Sequence, residues 1–105
     1  MSFIFTRLEI PDCIFVKCQS YQDKRGSFSE VYKQDVFLEH GIGPFVQENC
    51  SFSIRNVIRG IHFQSAPMAA GKLVSCPAGE IFDVAGDLRK TSPTFGKWVG
   101  ALLMG

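Results

Sequence analysis

Asn56-Val-Ile-Arg-Gly-Ile-His-Phe-Gln64 is the stretch that says most about this chain. Its β-branched residues are typical of a strand, and it places Arg59 three residues before His62. An imidazole accepts a proton near neutral pH, and a guanidinium binds phosphate at any pH, so the pair indicates proton abstraction from a phosphorylated substrate. Because strand side chains alternate between two faces, the two residues share one cavity only if a bulge or bend at Gly60 brings them together.

Outward from this stretch, short strand-like segments alternate with turns that contain glycine or proline. The predicted strands cover residues 3–10, 13–19, 28–32, 45–54, 57–64, 72–76, 80–84 and 97–104. A turn is predicted at residues 23–26, a short helix near 33–41 that ends at Gly41, and a loop at 89–96. The pattern predicts an all-β, antiparallel fold of the jelly-roll, sandwich or barrel type.

The bulk composition excludes several classes of protein. A length of 105 residues predicts a single domain over 1–105, and a hydrophobic content of 46% argues against disorder. A net charge of +1 argues against a nucleic-acid surface, and no apolar run approaches the length of a membrane span. The four cysteines form no CxxC pair and the N-terminus has no signal-peptide pattern, so we expect reduced thiols and a cytoplasmic location.

The individual candidate residues also have ordinary structural explanations. A lone histidine in an apolar strand usually packs or makes a hydrogen bond, whereas Arg59 in such a strand needs a partner, either a ligand phosphate or a carboxylate. A metal site fails on ligand count, because the other histidine, His40, falls in the predicted helix. Lys72 and the turn at 23–26 could each lie at the surface without a function. No nucleophilic triad and no phosphate-binding glycine loop is present.

Motifs along nearly the whole chain nevertheless combine into one pattern. They are residues 21–26, Phe28, Glu30, Tyr32, 45–49, Ser51, 56–64, 71–74, 79–85 and 87–100. Together they resemble the dTDP-4-dehydrorhamnose 3,5-epimerase family. The resemblance implies a cupin-type jelly roll and a homodimer that exchanges strands. It also implies a cytoplasmic enzyme of dTDP-L-rhamnose biosynthesis for surface polysaccharide, which acts on dTDP-4-dehydro-6-deoxy-D-glucose without a cofactor.

The resemblance also implies a role for each matching residue. His62 corresponds to the base that removes protons from carbons 3 and 5 of the sugar, and Lys72 to the cation near the developing oxyanion. Arg59 corresponds to a diphosphate ligand, with Arg25 reaching in from the partner subunit. The remaining matches are Gln47, Asn49 and Glu30 as polar contacts to the nucleotide sugar and Tyr21 as an aromatic that stacks on the thymine.

One departure from the family concerns the C-terminal side. The family continues well past Gly105, and that further part should hold the acid tyrosine and the aspartate that orients the base. We therefore expect an N-terminal portion of a jelly roll, incomplete at the C-terminus and impaired in catalysis on its own. The alternatives are a non-catalytic nucleotide-sugar binder, a degenerate paralogue, or a related 3-epimerase or ketoisomerase.

Overall fold

The computed structural model describes residues 2–63 and 71–105, which form six β-strands and one short helix. In chain order the elements are β1 (Phe3–Arg7), β2 (Ile14–Cys18), β3 (Ser20–Asp23), β4 (Gly26–Ser29), α1 (Gln34–Glu39), β5 (Glu80–Gly86) and β6 (Trp98–Met104). The strands form three antiparallel pairs, β1–β2, β3–β4 and β5–β6. The described residues fall into two compact units, one within Met1–Lys33 and Val74–Gly105 and the other within Gln34–Leu73.

The β1–β2 hairpin supplies much of the small core of the first unit. Its register runs from Phe3 opposite Cys18 to Arg7 opposite Ile14, and Phe3 is only 4% exposed. The rings of Phe3 and Phe5 point to the same face of β1 and lie 6.1 Å apart between centroids, as residues two positions apart in a strand should. The predicted strands 3–10 and 13–19 are thus confirmed, with shorter bounds.

The β5–β6 hairpin pairs seven residues on each strand, from Glu80 opposite Met104 to Gly86 opposite Trp98. Burial along β6 alternates strictly, as in a strand with one covered face, and the strand predicted at 97–104 is confirmed. The ring of Phe82 lies over Gly100, so close that a Cβ added to this glycine would come within 2.5 Å of the ring. The aromatic side chain thereby covers a strand position that has no side chain of its own.

Helix α1 confirms the helix predicted near residues 33–41. Phe37 is its one buried residue and is completely inaccessible to solvent. The carbonyl oxygen of Phe37 accepts hydrogen bonds from the amides of His40 and Ile42, each at 3.0 Å. Gly41 then adopts a φ of +77°, the left-handed conformation in which a glycine commonly ends a helix.

Three of the predicted strands do not form. Residues 45–54, 57–63 and 72–76 contain no strand, and residue 64 lies outside the described part. A strand is held by hydrogen bonds to a neighbouring strand, and within residues 2–63 and 71–105 none pairs with these segments. Their alternating apolar side chains are consequently exposed, with Val46 99% and Ile58 95% accessible.

The described residues close no barrel, since each of their sheets has two strands. None of their helices is long and apolar enough to cross a membrane.

Candidate functional site

The β3–β4 hairpin forms an open pocket with an aromatic wall. Tyr21 lies directly opposite Phe28 in the register, and both rings are well exposed, at 45% and 67%. The turn that was predicted at residues 23–26 joins the strands, and Gly26 takes a φ of +138° there, which favours glycine. The pocket has a volume of about 200 Å³ and includes Arg25, so it combines a stacking surface with a cation.

Arg25 is held by Asp23 across this turn. Oδ1 of Asp23 accepts the backbone N–H of Arg25 at 2.8 Å, and Oδ2 accepts Nε at 3.2 Å and Nη2 at 2.7 Å. Hydrogen bonding to the Arg25 guanidinium lowers the pKa of the Asp23 carboxyl from its ordinary value. The sequence predicted Asp23 only as part of a charged turn and not this contact, although Asp commonly bonds a backbone N–H two residues on.

Arg59 reaches back over a reversal of the chain at residues 55–56. Its Nε donates to the hydroxyl of Ser53 at 2.8 Å, and its Nη2 donates to the carbonyl oxygen of Phe52 at 3.2 Å. Asn56 has a φ of 70° at this reversal, a conformation that Asn tolerates better than most residues. No carboxylate of the described residues forms an ion pair with Arg59. The sequence left a ligand phosphate or a carboxylate as the partner of Arg59. Among the described residues, no carboxylate takes that role.

The other predicted site residues are all exposed. Nε2 of Gln47 donates to Oδ1 of Asn49 at 3.2 Å, as expected for side chains on one face of an extended segment. Glu30 accepts a hydrogen bond from the hydroxyl of Ser2 at 3.2 Å. His62 and Lys72 have exposed side chains in the second unit.

Gly60, where a bulge or bend is the condition for Arg59 and His62 to share one cavity, has a φ of +120°, a conformation that favours glycine. Two pockets of the described residues, one beside Arg25 and one beside Arg89, lie in the first unit, and neither contains Arg59 or His62. A common cavity for this pair stays a prediction.

A buried polar network that sequence analysis did not single out lies in the loop between β5 and β6. Asp87 is only 5% exposed, and its carboxylate accepts hydrogen bonds from Nε and Nη2 of Arg89 at 2.9 and 3.0 Å. The hydroxyls of Ser92 and Thr94 donate to its Oδ2 at 2.6 and 2.5 Å. Arg89 also forms an ion pair with Asp12 at 2.6 Å, which joins this loop to the β1–β2 turn.

This network stabilises the charged form of Asp87. Hydrogen bonds from Arg89, and then from Ser92 and Thr94, hold the pKa of the Asp87 carboxyl far below its usual range. The same contacts raise the pKa of the Arg89 guanidinium, first through Asp87 and then through Asp12. Because each polar group has a partner, the cluster is best understood as a brace for the loop.

Among residues 2–63 and 71–105 there is no group of three or more His, Cys, Asp or Glu side chains that could hold a metal ion. The four cysteines are free thiols, and burial raises the pKa of both Cys13 and Cys18.

Comparison with known proteins decides the family. The profile of dTDP-4-dehydrorhamnose 3,5-epimerase matches residues 7–105. The chain belongs to the dTDP-4-dehydrorhamnose 3,5-epimerase family. Among the epimerases of this name, that of Shigella flexneri is 51% identical over 100 residues, which cover 92% of this chain and 55% of the relative. That of Pseudomonas aeruginosa is 52% identical over 101 residues, which cover 93% of this chain and 55% of the relative.

Solved structures of the epimerase family show the same fold. The crystal structure of the Sulfolobus tokodaii epimerase matches 99% of this chain and 58% of its own, with a TM-score of 0.94 and 45% identity. The Legionella pneumophila epimerase, solved in complex with dTDP-4-keto-L-rhamnose, matches 98% of this chain and 55% of its own, with a TM-score of 0.91 and 43% identity. The predicted cupin-type fold is thus confirmed, and the chain spans about half the length of these relatives.

Proposed function

We propose that this chain binds a dTDP-linked 4-keto sugar and supplies the base for its epimerisation at carbons 3 and 5. The observation that carries the proposal is the match of residues 7–105 to the epimerase profile, together with the dTDP-4-keto-L-rhamnose bound to a relative of 43% identity. The substrate would be dTDP-4-dehydro-6-deoxy-D-glucose.

His62 is the proposed base. Carbons 3 and 5 both neighbour the carbon-4 ketone, so loss of a proton from either carbon leaves an enolate. The imidazole takes that proton on one face of the sugar ring, and an acid on the other face returns one with inverted configuration. Lys72 stabilises the negative charge that develops on the carbon-4 oxygen. No redox or cofactor step is needed, because only protons move.

Binding of the nucleotide rests on the two arginines and the hairpin. Guanidinium groups match the geometry of phosphate oxygens, and Arg59 has no carboxylate partner in residues 2–63 and 71–105 that would neutralise it. Tyr21 and Phe28 offer an exposed aromatic surface for the thymine beside Arg25. The proposed polar contacts to the nucleotide sugar are Gln47, Asn49 and Glu30.

A cytoplasmic homodimer, in which the partner subunit's Arg25 completes the site, is part of this proposal. Its support is the segment 46–63, which pairs with no strand among the described residues and exposes apolar side chains, so that a second copy has an open backbone to pair with.

For the 105 residues alone we propose binding without efficient turnover. The resemblance places the acid tyrosine and the aspartate that orients His62 in a part of the family that these residues do not match. A nucleotide-sugar binder without catalysis is the second candidate, since the exposed aromatic pair of the β3–β4 hairpin and the adjacent Arg25 would serve binding alone. The two candidates differ in whether His62 removes a proton when the rest of the fold is supplied.

A chimera tests the role of His62. Residues 1–105 are followed by the unmatched remainder of the Sulfolobus tokodaii epimerase, and deuterium incorporation into the sugar is followed in D2O. We expect exchange at carbons 3 and 5, and a decrease of about 10²- to 10⁴-fold in His62→Asn. His40→Asn, at the other histidine, is the matched control and should exchange normally. Equal rates in the two variants would disprove His62 as the base, and exchange at carbon 3 alone would indicate a 3-epimerase.

A further inference from the structure

Arg25 and Arg59, the two arginines proposed to bind the diphosphate, are each anchored to the protein through the edge of the guanidinium group formed by Nε and Nη2. In Arg25, Nε and Nη2 donate to Oδ2 of Asp23, and in Arg59, Nε and Nη2 donate to Ser53 and Phe52. In neither arginine does Nη1 donate to a residue within 2–63 or 71–105. The edge formed by Nη1 and Nη2 is therefore open in both.

This arrangement matters because a guanidinium has two edges that can each grip an oxyanion with two N–H groups. When the Nε edge is anchored to the protein, the Nη1–Nη2 edge still presents a fork to a phosphate. The anchor also removes rotamer freedom from a long side chain before the ligand arrives, so less entropy is lost on binding. This is most useful for Arg25, whose side chain is 90% exposed and would otherwise sample many rotamers.

We propose that Asp23 and Ser53 are positioning residues that preset Arg25 and Arg59 for end-on binding of the diphosphate. The inference rests on the proposed nucleotide-sugar function and names what that function requires beyond the arginines themselves. The Asp23 carboxylate fixes the turn through Oδ1 and the guanidinium through Oδ2. The Ser53 hydroxyl fixes Nε of Arg59 without neutralising its charge.

Asp23→Asn separates positioning from a simple effect of charge. Asn keeps a side-chain oxygen for the backbone N–H of Arg25, but its NH2 group cannot accept a hydrogen bond from the guanidinium. Removing a negative charge beside Arg25 would by itself attract a diphosphate more strongly. Loss of positioning acts in the opposite direction, so the sign of the change in affinity tells the two effects apart.

The test is calorimetric titration of the 105-residue chain with dTDP and with thymidine. We expect Asp23→Asn and Ser53→Ala each to weaken dTDP binding about 3- to 10-fold, the loss expected when one long side chain must be ordered by the ligand. Thymidine binding should not change, because thymidine carries no phosphate. Ser53→Thr keeps the hydroxyl and should bind dTDP as the wild type does.

The possible failures are distinguishable. If the wild type binds dTDP no more tightly than thymidine, the diphosphate is not recognised, and the proposed function falls together with this inference. If the wild type prefers dTDP but Asp23→Asn and Ser53→Ala bind it equally well or more tightly, the positioning role is refuted and the nucleotide site stands. Equal weakening for dTDP and thymidine would show a disrupted hairpin or loop and would also refute it.

Discussion

Replacing Phe37 with Ala should be among the most destabilising single changes in the chain. Phe37 is completely buried in α1, whereas its neighbour Leu38 is 42% exposed. Truncation of a buried Phe costs about 3–5 kcal/mol, because burial of the ring is lost and a cavity remains. Truncation of the half-exposed Leu38 should cost about 1 kcal/mol, since a fully buried Leu contributes about 1.5–3 kcal/mol by area.

Thermal unfolding followed by circular dichroism measures this difference. In a domain of this size about 1 kcal/mol lowers Tm by roughly 4–8 °C, so Phe37→Ala should lower it by at least about 12 °C and Leu38→Ala by less than about 8 °C. Both changes introduce Ala, the best helix former, into the same helix, so a lower helix propensity explains neither decrease in Tm. Equal decreases in Tm would refute the expectation that burial of Phe37 contributes more to stability than the half-exposed Leu38 does.

Three other measurements probe the described contacts. Asp87→Asn should destabilise most above about pH 4, because the lowered pKa of Asp87 stabilises the native state there and that contribution is lost as the carboxylate protonates at lower pH. Between about pH 7 and pH 2, urea unfolding should show a decreasing difference in unfolding free energy between wild type and Asp87→Asn, and a constant difference would contradict it. Gly100→Ala should lower the urea midpoint because the new Cβ meets the Phe82 ring, and an unchanged midpoint would show that the ring moves freely. Cys50 is exposed and should be alkylated before Cys13, whose pKa burial raises, as mass spectrometry of partially labelled protein can show; faster labelling of Cys13 would contradict the structure.

Elements stabilised by local interactions were predictable from the sequence. The helix α1 ends where Gly41 takes a left-handed conformation, and the β3–β4 turn lies where Asp and Gly were expected to place it. In each case the signal and the structure that it specifies lie within a few residues of each other.

The sequence could not specify contacts that depend on distant partners. Residues 45–54 alternate well, but alternation does not say which segment will pair with them, and the described residues provide none. The ion pair between Asp12 and Arg89 joins residues 77 positions apart and has no local signal. The surroundings of Asp87 had a partial signal, since Asp87 accepts the backbone N–H of Arg89 two residues on, as Asp commonly does in turns.

The most direct test of the proposed function is a proton NMR experiment on dTDP-4-dehydro-6-deoxy-D-glucose mixed with the 105-residue chain in D2O. Saturation transfer from protein to the thymine and sugar protons reports binding, and the intensities of the carbon-3 and carbon-5 protons report exchange in the same sample. We expect clear saturation transfer while the carbon-3 and carbon-5 signals persist. Absence of saturation transfer would contradict nucleotide-sugar binding, and rapid loss of either proton signal would show that these residues suffice for catalysis.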